Sequence, residues 1–327
     1  MVTPSVVSKI LLATDFSDSA QLAHVYAEYL ATALKGSVIV LHVSEHPPTR
    51  TSSKGEGESE AKLRTLQEGM GARGVSVNIR GSRGNPGEQI LRTAQEVGAD
   101  LIVMGLRGHN HLPYGLLGAT ASTVTTNGPC PVLTVPSPDK SSSPCKFNAP
   151  ETVHVRRILA PVDFSKPSLD SLECAIHLAH GLRAALVLAH VLEPAHAGWD
   201  LQRMQDAAHM RDEWEARLGD LAGVMKSLGV SSTCEIRTGL PADSILAGAL
   251  QHGCDLIVMG THGRRGREGR PVGSVAEAVL KQATCPVLTV KNPKFVAGGR
   301  AAIRAVLSDR RDAAPTEDAC NASNRTP

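Results

Sequence analysis

A chain of 327 residues is long enough for two domains of ordinary size, and with only 3% aromatic residues its cores must be aliphatic. The formal net charge of +2 and the scarcity of aromatic side chains argue against a nucleic-acid-binding protein. Seven scattered cysteines without a C-x-x-C pair fit a reducing compartment better than a disulfide framework or a zinc site. Because no apolar run approaches the length of a membrane span and no secretory signal is recognisable, we expect a cytoplasmic protein without a membrane partner.

The sequence contains one unit twice. KILLATDFS at Lys9 returns as RILAPVDFS at Arg157, and CPVLTV occurs at both Cys130 and Cys285. Self-similarity of this kind predicts two homologous domains, which we call the first and second copies. The chain therefore divides into four parts: residues 1–140 (first copy), 141–153 (a linker rich in Pro and Ser), 154–293 (second copy) and 294–327 (a tail that we expect to be disordered).

Each copy alternates short aliphatic runs with helical stretches. In the second copy the predicted strands are RILAPVD, ALVLAHV, TCEIR, DLIVMG and CPVLTV. Pro86 and Pro241 stand where the third helix of each copy would begin, a position that tolerates the missing N–H. Unbroken aliphatic strands between helices predict a parallel sheet with helices on both faces. The fold class is therefore α/β, with two tandem doubly wound, Rossmann-like, five-stranded parallel sheets in the order 3-2-1-4-5.

This strand order places a ligand crevice at the carboxyl ends of strands 1 and 4. Strand 1 is predicted to end at Asp15 in the first copy and Asp163 in the second, and strand 4 at Gly105 and Gly260. Asp163 can accept hydrogen bonds from ribose hydroxyls or from a base amine. The alternative is a strand-end cap, which the repetition of this aspartate at a predicted crevice disfavours.

A glycine pattern follows strand 4 of the second copy. It reads Gly260-x-x-Gly263, nine residues, then Gly273-Ser274, and a helical stretch begins there. Glycines let a backbone approach a ligand closely, and the free N–H groups of a helix start attract phosphate oxygens. The nine-residue spacer holds four arginines and one glutamate, a local charge of +3, which either solvates an exposed loop or contacts the outer phosphates. This pattern predicts a nucleotide site without a P-loop.

These features resemble the universal stress protein family in its tandem two-domain form, over about residues 6–136 and 154–292. The resemblance is carried by the aspartate after strand 1, the G-x-P before helix 3, the DLIVMG strand and the G-2x-G-9x-G-[S/T] signature. It implies a stress-response protein that binds ATP, with or without Mg²⁺. Carried over by position, it implies contacts with the base and ribose (Val162, Asp163), along the loop (Met259, Gly260, Thr261, Gly263) and with the phosphates (Gly273, Ser274, Val275).

The first copy departs from the full signature. Its three glycines are present, but Ala119 stands where the second copy has the Ser274 hydroxyl, and Thr120 substitutes for it only in part. Losing one neutral hydrogen bond costs about 0.5–1.5 kcal/mol, or tenfold in affinity at most. We therefore predict that ATP is held mainly in the second copy. The weaker site of the first copy would comprise Asp15, Gly105, Gly108, Gly118 and Thr120.

The sequence offers little support for catalysis. It has neither G-x-x-x-x-G-K-[ST] nor G-x-S-x-G, and Asp100 and Asp255 precede strand 4, at the sheet edge opposite the predicted crevice. His109 and His111 alone are a weak case for a metal site. We expect no catalytic or metal-binding residues and at most slow ATP turnover. Two alternatives stay open: a nucleotide-transferring enzyme on the same scaffold, and an interaction scaffold without a ligand.

The fifth strand of each copy predicts how the copies assemble. PVLTV would be an unprotected apolar edge, and such edges are usually covered or paired. We therefore expect strand 5 of one copy to pair with strand 5 of the other, which gives an intramolecular pseudo-dimer; homodimerisation stays open. His42 and His190 occupy equivalent positions on strand 2 and are predicted to be structural, and Cys130 and Cys285 to pack as small apolar residues.

Overall fold

The computed structural model describes six stretches of the chain: residues 7–44, 53–108, 116–136, 153–193, 201–263 and 272–291. The predicted tail and nearly all of the predicted linker lie outside these described residues. The arginine-rich spacer between Gly263 and Val272 also lies outside them, as do His109 and His111. Within the described part, no helix is long and apolar enough to cross a membrane.

Both copies alternate strands and helices. The elements of the first copy are β1 (Lys9–Thr14), α1 (Asp18–Leu34), β2 (Ser37–Ser44), α2 (Ser53–Ala72), β3 (Ser76–Arg83), α3 (Pro86–Val97), β4 (Leu101–Gly105), α4 (Ala119–Asn127) and β5 (Val132–Val135). Those of the second copy are β6 (Arg157–Pro161), α5 (Lys166–Leu182), β7 (Ala185–Leu192), α6 (Leu201–Ser227), β8 (Ser232–Thr238), α7 (Pro241–Gln251), β9 (Leu256–Gly260), α8 (Ser274–Gln282) and β10 (Val287–Val290).

The strands form one ten-stranded sheet in the order β3-β2-β1-β4-β5-β10-β9-β6-β7-β8. Within each copy the strands are parallel in the order 3-2-1-4-5, so the predicted fold class is confirmed. The copies join where β5 and β10 pair antiparallel, with Leu133 opposite Leu288. The Thr134 hydroxyl donates to the Val287 carbonyl at 3.2 Å, and Thr289 donates to Val132 at 3.3 Å, so side chains reinforce the junction.

Strand 1 ends slightly earlier than predicted. The strands end at Thr14 and Pro161, so Asp15 and Asp163 lie in the turns that follow them. Each aspartate accepts a hydrogen bond from the backbone N–H two residues later, of Ser17 at 3.0 Å and Ser165 at 2.9 Å. This local bond competes with the strand ladder, which explains why pairing stops before the aspartate.

The helices cover both faces of the sheet. The side chains of α1, α2, α5 and α6 share one core that runs across both copies, while α3 with α4 and α7 with α8 cover the opposite face as separate clusters. The predicted packing of Cys130 and Cys285 is confirmed, since both are buried. Burial raises the pKa of Cys285 to about 12, so this thiol stays protonated at neutral pH.

His24 makes the stability of the fold depend on pH. It is buried on α1, its Nε2 lies 2.8 Å from the Thr14 hydroxyl, and burial lowers its pKa from 6.5 to about 4. Unfolding therefore takes up a proton below the ordinary pKa, and stability is lost as the pH falls from about 6.5 towards about 4. Between about pH 7.5 and about pH 5, we expect the free energy of unfolding to fall by about 2 kcal/mol through this residue.

Urea unfolding at the two pH values measures this effect. His24→Gln keeps a hydrogen-bonding amide but has no titratable group, so it should remove that part of the pH dependence. An identical pH dependence in His24→Gln and the parent protein would contradict the assignment.

Candidate functional site

Asp163 lies against the loop that follows β9. A Cβ atom added to Gly263 would stand only 2.6 Å from Asp163 Oδ2, so the loop approaches the carboxylate more closely than any other residue type allows. The next residue, Phe164, has a left-handed backbone with φ of 61°, which is unusual for a residue with a side chain. The turn after strand 1 and the loop after strand 4 therefore meet at one crevice, as predicted.

The start of α8 is joined to the same loop. The Gly273 N–H donates to the Thr261 carbonyl at 2.8 Å, and a Cβ on Gly273 would lie 3.1 Å from that oxygen. Gly273 precedes the first helical residue, Ser274, which is exposed, and as a glycine it has no side chain to cap the helix start. Among the described residues no side chain caps the first N–H groups of α8, which are the kind of group that binds an anion.

Several predicted contact residues are buried. The exposed fractions are 2% for Val162, 5% for Met259 and 1% for Thr261. The Thr261 hydroxyl lies 3.0 Å from His262 Nδ1, so this side chain supports the loop from beneath and only its backbone borders the crevice. Val275 packs against the core beneath α7 and α8, which leaves its backbone N–H as the group at the helix start.

The predicted residues of the first copy form the same arrangement with a longer bond at the helix start. A Cβ on Gly108 would lie 2.7 Å from Asp15 Oδ2, but the Gly118 N–H is 3.4 Å from the Leu106 carbonyl. Leu106 stands where the second copy has Thr261, and it is buried. Gly105 borders α1, and Thr120 is half-buried in the first turn of α4.

Serine hydroxyls bond to both sides of the crevice in the first copy. Ser17 donates to Asp15 Oδ1 at 2.6 Å, and the Ser19 hydroxyl donates to the Arg107 carbonyl in the loop after β4. In the second copy Pro167 stands at the position of Ser19 and has no hydroxyl to make this bond. This difference was not predicted, although it is visible in the sequence two positions after the serine of each DFS segment, where Ser19 and Pro167 stand.

The strand-2 histidines tether the turns that carry the aspartates. His190 Nδ1 donates to the Val162 carbonyl at 2.6 Å, and His42 Nδ1 donates to the Thr14 carbonyl at 2.9 Å. These bonds support the structural role predicted for both residues.

Asp100 and Asp255 lie at the amino ends of the strands, opposite the crevice. Asp100 Oδ2 accepts the Lys9 N–H at 2.9 Å, and Asp255 Oδ2 accepts the Arg157 N–H at 2.9 Å, so each fixes the start of strand 1 in its copy. In the part of the chain that the structure describes, no group of three or more His, Cys, Asp or Glu side chains is placed to hold a metal ion.

The model of the universal stress protein family matches residues 7–136 and 154–291, which are most of the chain. The chain belongs to the universal stress protein family. Both matched regions correspond to the two copies, so the protein has the tandem form of this family, as predicted.

Relatives agree with this assignment, and a solved structure shares the fold. A universal stress protein of Methanocaldococcus jannaschii is 35% identical over 146 residues, which cover 42% of this chain and 84% of the relative. One of Synechocystis is 24% identical over 311 residues, 86% of this chain and 99% of the relative. A crystal structure from Archaeoglobus fulgidus matches the fold with a TM-score of 0.63 at 21% identity, covering 88% of this chain and 97% of its own.

Proposed function

We propose that this universal stress protein binds ATP in its second copy and acts as a regulatory protein in the stress response. One observation carries the proposal: the Asp163 carboxylate, the loop glycine Gly263 and the start of α8 at Ser274 border one crevice. A carboxylate can accept hydrogen bonds from ribose hydroxyls, while a glycine loop and a helix start suit phosphate oxygens.

Two differences favour the second copy over the first. The exposed Ser274 hydroxyl has no counterpart at Ala119, and the bond from the Ser19 hydroxyl to the Arg107 carbonyl has no counterpart at Pro167. The first difference supplies the second crevice with a donor, and the second leaves it less restrained by its own side chains. We therefore assign the main site to the second copy and a weaker one to the first.

We propose regulation rather than catalysis, with at most slow ATP turnover, and a cytoplasmic setting. Asp100 and Asp255 are engaged with backbone N–H groups at the far edge of the sheet, where they cannot act on phosphates. A regulatory role requires that ATP bind two conformations of the protein, or of a complex, with different affinities. Formation of a product from ATP and an acceptor would instead support a nucleotide-transferring enzyme.

Titration of the full chain with ATP by calorimetry tests the site, with Asp163→Asn compared to its matched control Asp15→Asn. Asparagine retains an oxygen for the Ser165 N–H but replaces the other carboxylate oxygen by a donor. Loss of a hydrogen bond to a charged group costs about 1.5–3 kcal/mol, so we expect Asp163→Asn to weaken binding about 10- to 100-fold. Asp15→Asn should leave the tighter binding step unchanged.

The outcomes separate the candidate functions. Equal binding by Asp163→Asn and the parent protein would remove this residue from the site. Absence of any ATP binding, with no ATP-dependent rise in the melting temperature, would favour the interaction scaffold.

A further inference from the structure

Four side chains of the second copy form a continuous stack behind the turn that carries Asp163. The Trp214 ring on α6 lies 4.4 Å from the His190 ring and 5.1 Å from the Phe164 ring between centroids, each at an interplanar angle of 32°. The guanidinium carbon of Arg217 lies 4.8 Å from the centre of the Phe164 ring and 4.7 Å from that of Trp214. These are favourable distances for aromatic and cation–π contacts.

This stack contacts the residues on both sides of Asp163 in the chain. Phe164 follows Asp163 directly and keeps a left-handed backbone with φ of 61°. His190 donates its Nδ1 proton to the carbonyl of Val162, the residue before Asp163, at 2.6 Å. Phe16 has the same left-handed backbone in the first copy, with φ of 63°, so this conformation does not depend on a tryptophan. What Trp214 adds in the second copy is ring contact with the Phe164 and His190 side chains, which bears on where the Asp163 carboxylate points.

The first copy has part of this arrangement but not its centre. Phe16 and His42 are in ring contact at 4.9 Å, and Lys62 Nζ lies 5.6 Å from the centre of the Phe16 ring. Ser59 precedes Gly74 by the same number of residues as Trp214 precedes Gly229, so serine stands where the second copy has tryptophan. Trp214 therefore belongs to the copy that has the full G-2x-G-9x-G-[S/T] signature.

We propose that Trp214 is a positioning residue for nucleotide binding in the second copy. It contacts Phe164 and His190, and through them it holds the Val162–Phe164 turn so that Asp163 faces the loop at Gly263. This inference rests on the proposed function and extends it to α6, an element outside the glycine signature.

Fluorescence provides a direct test, because the chain has two tryptophans and Trp199→Phe leaves Trp214 as the only one. In that background we expect saturating ATP to change the emission of Trp214. By calorimetry, Trp214→Ser should weaken ATP binding about tenfold, while Trp214→Phe, which keeps an aromatic ring, should stay within about threefold of the parent. Ser59→Ala in the first copy is the matched control and should change nothing.

A second variant covers the case in which Trp214→Ser lowers the melting temperature too far for titration. Arg217→Met removes the cation–π contacts while keeping a flexible apolar chain, and we expect about threefold weaker binding. Unchanged affinity in the folded variants, together with unchanged Trp214 emission, would overturn the positioning role while leaving ATP binding intact. A parent protein that binds no ATP would overturn the proposed function itself, and this inference with it.

Discussion

Replacing Gly263 with valine should abolish ATP binding in the second copy, with at least about 100-fold weaker affinity, or about 2.7 kcal/mol. The Cβ atom would stand 2.6 Å from Asp163 Oδ2, and the two valine methyl groups would extend further into the crevice. Either the carboxylate or the loop must then move, and both are proposed to contact the nucleotide. Calorimetric titration of the full chain measures the loss.

Gly108→Val is the matched control for this prediction. Its Cβ atom would meet Asp15 Oδ2 at 2.7 Å, so it strains the first copy in the same way that Gly263→Val strains the second. We expect Gly108→Val to keep the tighter ATP-binding step, and both variants to lose similar amounts of stability. If Gly108→Val lost that step while Gly263→Val retained it, the main nucleotide site would have to be moved to the first copy.

The strands, their order and the location of the crevice could be predicted because they depend on patterns that span only a few residues each. Aliphatic runs mark buried parallel strands, and prolines at residues 86 and 241 mark helix starts that the structure places there. Because the unit occurs twice, each element is predicted from two separate segments of the sequence. Asp163 and Gly263 are far apart in the chain, but the strand order alone brings the ends of strands 1 and 4 together.

The roles of individual side chains could not be predicted in the same way, because they depend on contacts between distant segments. Thr261 is 1% exposed, and the residues beside it in the sequence do not indicate this burial. Leu106 stands at the equivalent position of the first copy, and a leucine there suits a buried position better than a ligand contact. Comparison of the two copies could therefore have indicated that Thr261 is buried. The bond from Ser19 to the Arg107 carbonyl and the contact of Trp214 with Phe164 each join separate elements, which local patterns do not encode.

The junction between β5 and β10 should determine whether the copies unfold together. Leu288 is 1% exposed and pairs with Leu133 on one side and Val258 on the other. Leu288→Pro removes a backbone N–H from the ladder in the middle of the sheet, and loss of the buried leucine side chain costs about 2–5 kcal/mol in addition. The second cost alone is a large part of the whole stability of an ordinary domain, about 5–15 kcal/mol.

Calorimetric unfolding shows whether the two copies unfold as one unit or as two. The core beneath α1 and α5 continues across the junction, so the parent protein should unfold in a single transition. Leu288→Ala should lower the free energy of unfolding by about 2–5 kcal/mol, and Leu288→Pro should separate the transition into two or prevent folding of the second copy. Leu250→Ala, which removes the same atoms from a side chain that is 72% exposed on α7, should change stability little. A Leu288→Pro protein with the parent's single transition and melting temperature would mean that the two copies are held together by their helices rather than by the sheet.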